Sequence, residues 1–105
     1  MYSIVNICIQ YFPFYSVNYS IKGGIVLKNM YLDPKIVGEV IAHFRKKKNI
    51  SQEVLSGLSD IGRTHLSAIE RGERKPTLET LYRISCALEM NMSEIAKEIE
   101  NRIGK

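Results

Sequence analysis

Helix start signals recur along the chain from Asp33 to the C terminus, and they constrain the fold more than any other feature. Asp33 followed by Pro34 is typical of a helix start, because the carboxylate accepts an orphan backbone N–H and a proline at the first helical position loses no hydrogen bond. Further start signals stand at Ser51, at Gly62 or Arg63, at Thr77 and at Ser93. The third segment should end at Gly72, since glycine commonly follows a helix. The pattern predicts five short helices and an all-α fold.

Apolar residues repeat at helical spacing within these segments, so each helix has one face to bury. In the first helix, which should run to about Lys48, the stripe consists of Val37, Ile41 and Phe44. Gly38 lies beside this stripe and predicts a close approach to another helix. The other residues expected to point inward are Leu55, Leu58, Leu66, Ile69, Leu78, Leu81, Ile84, Ser85, Leu88, Ile95, Ile99 and Ile103. The last three repeat every four residues, and we interpret them as part core and part dimer surface.

Residues 1–32 differ from the rest of the chain and predict an N-terminal extension, followed by one domain over residues 33–105. Residues 1–21 contain no charged side chain, and the extension includes five of the six tyrosines. Runs such as Ser3–Ile9 and Gly24–Leu27 suit strands rather than helices. We therefore expect the extension to be non-helical or weakly structured.

Two explanations of this extension stay open. It is either a hydrophobic arm that pairs across a dimer, or an upstream region wrongly included in the reading frame. The second explanation rests on Lys22-Gly23-Gly24, whose codons can spell a purine-rich ribosome-binding sequence, with possible start codons at Leu27 and Met30. On this hypothesis much of residues 1–26 does not belong to the natural protein.

The formal net charge is +4, and the positive charge is concentrated in the middle of the chain. Between Lys35 and Arg83 ten basic residues stand against six acidic ones, a balance that favours a polyanionic partner. The two cysteines, Cys8 and Cys86, are far apart, and no His or Cys spacing suits zinc. The sequence also lacks the run of ~20 apolar residues that a membrane span requires. It predicts a cytoplasmic protein without a cofactor, metal, membrane association or small-molecule ligand.

Two short helices separated by about three residues, over Ser51–Gly72, are the arrangement that places a helix in a DNA major groove. Leu66 and Ile69 point inward. The helical repeat then places on the far face the side chains of Thr64, Ser67, Ala68 and Arg71. Arg63 flanks this face at the helix start and can donate two hydrogen bonds to a guanine. The segment therefore predicts a recognition helix over Arg63–Arg71, whose small side chains let the helix approach base edges.

Five strings of residues follow one another in an order that is typical of one protein family: Phe44–Lys46, Ile50–Glu53, Arg63–Ser67, Ile69–Pro76 and Thr77–Leu81. On these strings the chain resembles the lambda-repressor-like family of helix-turn-helix proteins, also called Cro-type or XRE-type, from Asp33 to about Glu94. It is most similar to short members such as restriction-modification controller proteins. The resemblance implies a five-helix domain that binds specific double-stranded DNA and regulates transcription, as a homodimer on a pseudo-palindromic operator.

The resemblance also implies roles for individual residues. Gln52, at the start of the second helix, would bind a phosphate. Base-facing positions fall at Arg63, Thr64, Ser67 and Ala68. Positions next to the sugar-phosphate backbone fall at Arg74 and Lys75. Arg45 and Glu70 match a pair that forms an ion pair between the first and third helices, near phosphate. For His65 a contact at the groove edge and packing beside Leu66 both stay open.

Three positions depart from the usual pattern of the family. Asp60 occupies a turn position where glycine is commonest, and we expect a left-handed turn that forms with some strain. Gly57 lies inside the second helix, at a cost of ~1 kcal/mol relative to alanine. Glu89 replaces a frequent glycine after the fourth helix. These departures change the backbone and remove no functional group.

Two other classes of function stand as alternatives. In some relatives the same fold serves as an antitoxin or a bridging factor whose main partner is another protein. An enzyme is the more distant alternative, because the sequence contains no paired catalytic carboxylates, no nucleophile with its base and no phosphate-cradling loop.

Overall fold

The computed structural model describes residues 19–22, 25–28 and 30–104. The chain divides into two units, with the boundary between Tyr31 and Leu32. The described residues form two strands in the first unit and five helices in the second.

The two strands are β1 (Tyr19–Lys22) and β2 (Ile25–Lys28). They pair antiparallel, with Tyr19 opposite Lys28 and Lys22 opposite Ile25. A strand was expected over Gly24–Leu27, and β2 lies one residue further along the chain. The run Ser3–Ile9 lies outside the described residues, as does most of the segment 1–26 to which the start-codon hypothesis applies.

The helices of the second unit follow the predicted order. They are α1 (Pro34–Lys47), α2 (Gln52–Ser59), α3 (Arg63–Glu70), α4 (Leu78–Ala87) and α5 (Met92–Ile103). Five helices at these positions confirm the predicted all-α fold of this unit. α1 contacts both α3 and α5, and α2 contacts both α3 and α4. α3 is therefore held between two neighbours.

Capping side chains start three of the helices as predicted. The bonds run from Lys35 N to Asp33 Oδ1 at 2.9 Å, from Val54 N to Ser51 Oγ at 3.1 Å, and from Thr80 N to Thr77 Oγ1 at 3.1 Å. α3 begins after Gly62, which has no side chain to serve as a cap. The prediction that Ser93 caps α5 is wrong, because the helix begins at Met92. In the first turn of α5, Glu94 N donates to Asn91 O at 3.0 Å, so Ser93 lies inside the helix.

α1, α2, α3 and α4 all end in the same backbone motif, a residue with positive φ followed by an N–H that reaches back to the last turn. The positive-φ residues are Asn49 (60°), Asp60 (55°), Gly72 (79°) and Glu89 (56°). The returning bonds run from Ile50 N to Arg45 O, Ile61 N to Ser56 O, Glu73 N to Ala68 O and Met90 N to Ser85 O, at 2.9 to 3.3 Å. The left-handed turn expected at Asp60 is confirmed.

The core lies where all five helices meet. Its most fully buried apolar side chains are those of Val40, Ile41, Leu55, Leu66, Ile69, Ile84, Leu88 and Ile95. Ile99 is only 7% exposed and belongs to the same cluster, with Ile103 packed at its edge. The interpretation of this stripe as part dimer surface is therefore wrong for Ile95 and Ile99, because both are already covered within one chain.

Two leucines expected in the core are exposed, Leu58 to 63% and Leu78 to 72%. In α2 the buried face contains Ser56 and Ser59 beside Leu55, so it is rotated away from Leu58. Leu78 occupies the first residue of α4, whose buried residues come later in the helix, at Ile84 and Ser85.

Candidate nucleic-acid interface

The end of α3 lies directly against α1 at Gly38. A Cβ atom on Gly38 would stand 2.3 Å from the carbonyl oxygen of Ile69 and 2.7 Å from that of Glu70. Real Cβ atoms do not approach backbone oxygens this closely, so only glycine fits here without moving a helix. The close approach predicted for Gly38 is confirmed, and it fixes where α3 lies.

A buried ion pair joins the same two helices. Arg45 donates from Nε to Glu70 Oε2 at 2.7 Å and from Nη2 to Glu70 Oε1 at 2.9 Å. The two side chains are only 11% and 6% exposed. The hydrogen bond to Glu70 raises the pKa of Arg45 above its usual value, against the opposing effect of burial. The two-bond geometry fixes the orientation of both groups as well as their distance.

Two further bonds extend this pair into a network. Arg45 Nη1 donates to the carbonyl oxygen of Ile50 at 2.9 Å, and Gln52 Nε2 donates to Glu70 Oε1 at 2.9 Å. The first residue of α2, the end of α1 and the end of α3 are thereby tied to one carboxylate. The phosphate contact predicted for Gln52 stays a prediction, and in the structure its amide donates to Glu70.

The turn between α2 and α3 is held from the side of α4. Arg83 Nη1 donates to the carbonyl oxygen of Asp60 at 3.2 Å, and its guanidinium lies 3.6 Å from the Asp60 carboxylate. Ile61, the residue after Asp60, packs against the core. The turn is thus contacted by a residue outside the helix-turn-helix segment itself. Arg83 was not among the predicted site residues.

The outer face of α3 carries most of the side chains predicted to face DNA bases. Arg63 and Thr64 are exposed, and Ser67 is half-buried. The side chain of Arg63 forms no hydrogen bond or ion pair with other residues of the range 30–104. His65 is also half-buried, at the flank of the helix.

Ala68 is an exception, and the prediction that it faces the bases is wrong. Its side chain is only 9% exposed and belongs with Leu66 and Ile69 among the buried residues of α3. The reason is that α3 packs against both α1 and α2, so more of its circumference is covered than a stripe of Leu66 and Ile69 predicts.

Arg71 ends the outer face, and each of its three guanidinium nitrogens donates one hydrogen bond. It donates to Ser67 Oγ from Nη1 and to both carboxylate oxygens of Glu73, with Nη2 standing 3.2 Å from Oε1. This contact raises the pKa of Arg71 and lowers the pKa of Glu73 from their ordinary values. The loop that follows carries Arg74 and Lys75, both exposed. Glu73 was not predicted as a site residue.

The described part of the chain contains neither a membrane-spanning helix nor a cluster of three metal-ligating side chains. None of its helices has the length and hydropathy needed to span a membrane. Nor do these residues bring together three His, Cys, Asp or Glu side chains that could hold a metal ion.

The chain matches the family described as helix-turn-helix over residues 41–95. It belongs to this family. The helix-turn-helix chain is 38% identical over 61 residues to y4dJ, an HTH-type transcriptional regulator of Sinorhizobium fredii, a match that covers 58% of this chain and 79% of the relative. It is 38% identical over 64 residues to the control protein C.MunI of a Mycoplasma species, which covers 60% of this chain and 86% of the relative.

Solved structures give the same result. The restriction-modification controller protein C.AhdI from Aeromonas hydrophila is similar with a TM-score of 0.59 and 31% identity, covering 62% of this chain and 98% of that protein. The wild-type controller protein C.Esp1396I is similar with a TM-score of 0.66 and 31% identity. The match covers 71% of this chain and 96% of that protein. These comparisons confirm the predicted resemblance to XRE-type helix-turn-helix regulators, a family of DNA-binding proteins rather than enzymes.

Proposed function

We propose that this helix-turn-helix protein regulates transcription by binding a specific double-stranded DNA sequence as a homodimer, with α3 as the recognition helix. The observation that carries the proposal is the outer face of α3. Arg63, Thr64 and Ser67 leave this face accessible, while Gly38 and the Glu70 network hold the other side of the helix against α1 and α2. A rigidly held helix with an open polar face is suited to reading base edges.

The proposed contacts divide into two groups. Arg63 reads a guanine through two hydrogen bonds, and the hydroxyls of Thr64 and Ser67 contact neighbouring base edges. Gln52 at the start of α2 and the loop residues Arg74 and Lys75 contact phosphates, which orient the protein without reading sequence. His65 stands at the edge between these groups.

A homodimer follows from the size of the contact. One helix-turn-helix reads only a few base pairs, so two copies would bind half-sites about one DNA turn, ~34 Å, apart. The buried positions of Ile95 and Ile99 support a dimer surface elsewhere on the chain. Sedimentation at micromolar concentration should give a dimer, and a duplex with both half-sites should bind two chains.

The names of the relatives favour a regulator over the other candidate, a module whose main partner is another protein. C.MunI is named a control protein and y4dJ a transcriptional regulator. We also infer that the protein works in the cytoplasm, without a cofactor, small-molecule ligand or catalytic activity.

Selection of duplexes from a random pool tests the function. We expect one enriched sequence, bound with an affinity that falls as salt rises by ~0.9 logarithmic units per neutralised phosphate. Enrichment of no sequence would favour the protein-interaction alternative.

Two substitutions then separate base reading from phosphate binding. Arg63→Ala should cost ~1 to 3 kcal/mol and relax the preference at one base position, whereas Lys75→Ala should weaken all sequences alike and reduce the salt slope by about 1. Lys97→Ala, which removes one exposed positive charge from α5, is the matched control. Equal losses on every sequence for Arg63→Ala would remove it from the base-reading group.

A further inference from the structure

Arg71 and Glu73 form a clamp at the end of the recognition helix. Two nitrogens of the Arg71 guanidinium donate to the Glu73 carboxylate, and the third donates to Ser67 Oγ. Both charged side chains are about half exposed, at 52% and 58%, so hydrogen bonds rather than burial hold them. Ser67 and Arg71 belong to the outer face of α3, so the clamp lies on the surface that would meet DNA.

The turn at Gly72 brings Glu73 back towards the helix. Gly72 has a φ of +79°, and the N–H of Glu73 donates to the carbonyl oxygen of Ala68 at 2.9 Å. A Cβ atom on Gly72 would stand 2.6 Å from Cγ and 2.8 Å from Cα of Lys35, so the turn also lies tightly against the start of α1. The backbone of Glu73 is therefore fixed above the last turn of α3, within reach of Arg71.

A carboxylate and a DNA phosphate compete for the same guanidinium, because both are anionic acceptors that an arginine binds through two hydrogen bonds. An arginine that is free to bind a phosphate adds affinity for any duplex, whatever its sequence. An arginine held by a carboxylate adds little. Specificity is a difference between affinities, so lowering the affinity for wrong sequences raises it.

We propose that Glu73 is a specificity-determining residue, which keeps Arg71 aligned along α3 and withholds it from the DNA backbone. The proposal rests on the proposed DNA-binding function. The ligand concerned is duplex DNA of any sequence. The effect of Glu73 is to lower the affinity of the protein for sequences other than the operator. The lowered pKa of Glu73 is consistent with this role, since the carboxyl group stays ionised at neutral pH.

Glu73→Gln tests the proposal, because it keeps the size of the side chain and removes its charge. We expect tighter binding to a random-sequence duplex and a salt slope steeper by ~0.9, equivalent to one more neutralised phosphate. The affinity ratio of variant to wild type should then fall by about 3.5-fold between 50 and 200 mM salt. Binding to the operator should tighten less, so the ratio of specific to non-specific affinity falls.

Glu98→Gln is the matched control. Glu98 also pairs with an arginine, Arg102, at 3.0 Å, but on α5, so this variant has the same net charge as Glu73→Gln. We expect its salt slope to match that of the wild type. An equal effect of both variants would show that net charge alone is responsible, and would overturn the proposal.

A double-mutant cycle supplies the decisive comparison. In an Arg71→Ala background, Glu73→Gln should no longer change the salt slope, because the guanidinium that it would release is absent. A change of the same size in that background overturns the proposal. A wild type that prefers no duplex sequence overturns the proposed function as well. A wild type with a clear preference, together with a neutral Glu73→Gln, overturns the role of Glu73 alone.

Discussion

Gly38→Ala should destabilise the domain through the contact between α1 and α3. The added Cβ would stand 2.3 Å from Ile69 O, and 2.7 Å and 2.9 Å from the carbonyl oxygen and carbon of Glu70. All three atoms are backbone, so no flexible side chain can move aside and the helices must separate. Overpacking of this kind costs ~1 to 3 kcal/mol, occasionally more. Replacing a helical glycine by alanine returns ~1 kcal/mol through backbone entropy.

Gly57→Ala isolates the steric cost, because it is the same substitution inside α2 with no atom within 4 Å of the new Cβ. It should stabilise the domain by up to ~1 kcal/mol. The two variants share the entropic gain, so their free energies of unfolding in urea should differ by the overpacking cost, ~1 to 3 kcal/mol. For a domain of this size that is a difference of at least ~4 °C in Tm. Equal stabilisation by both substitutions would refute the close contact at Gly38.

Four other perturbations test separate parts of the structure. Glu70→Gln leaves the Arg45 guanidinium without its carboxylate and should lower the free energy of unfolding in urea by ~1 to 3 kcal/mol. In an Arg45→Met background the same substitution should lower it by less, because the guanidinium is already absent. Glu89→Gly removes a left-handed non-glycine residue at φ 56° and an exposed ion pair of small value, so the free energy of unfolding should rise, by up to ~1 kcal/mol. Ile99→Asp buries a charge and should unfold the chain, as circular dichroism would show, rather than convert a folded dimer to a folded monomer. Hydrogen bonding to an arginine lowers the folded-state pKa of Glu98 below its ordinary 4.5, so its contribution is present above that pH and is lost as the pH falls through the lowered value. As the pH is lowered below about 4.5, the Tm of Glu98→Gln should therefore fall less steeply than the Tm of the wild type.

Helix starts could be predicted because caps act within a few residues. Asp33, Ser51 and Thr77 each bind an N–H two or three positions further along, so the sequence alone contains both partners. The error at Ser93 arose where two capping residues stand close together. Asn91 is as good a cap as Ser93, so the sequence alone does not decide between them.

Burial was harder to predict, because apolar spacing shows that a helix has an inner face but not where the centre of that face lies. In α2 the centre is shifted towards two serines. Ser59 Oγ donates to Leu55 O at 2.6 Å and Ser56 Oγ to Glu53 O at 2.9 Å, so both hydroxyls are satisfied within the helix and can be buried. Their small size lets α2 pack closely, and Leu58 is left on the surface.

The contact between Arg71 and Glu73 shows why the charge of the recognition face could not be obtained by counting bases. Two residues apart in a regular helix, these side chains would point in different directions. The left-handed turn at Gly72 reverses the chain between them and brings the carboxylate back to the guanidinium. The only local signal for this contact in the sequence is Arg-Gly-Glu at the end of a helix. Counted as a free base, Arg71 strengthens the positive field; paired with Glu73 it is locally neutral. Among the described residues the Arg63 side chain has no such carboxylate, which is why we propose Arg63 and not Arg71 as the guanidinium that reads a base.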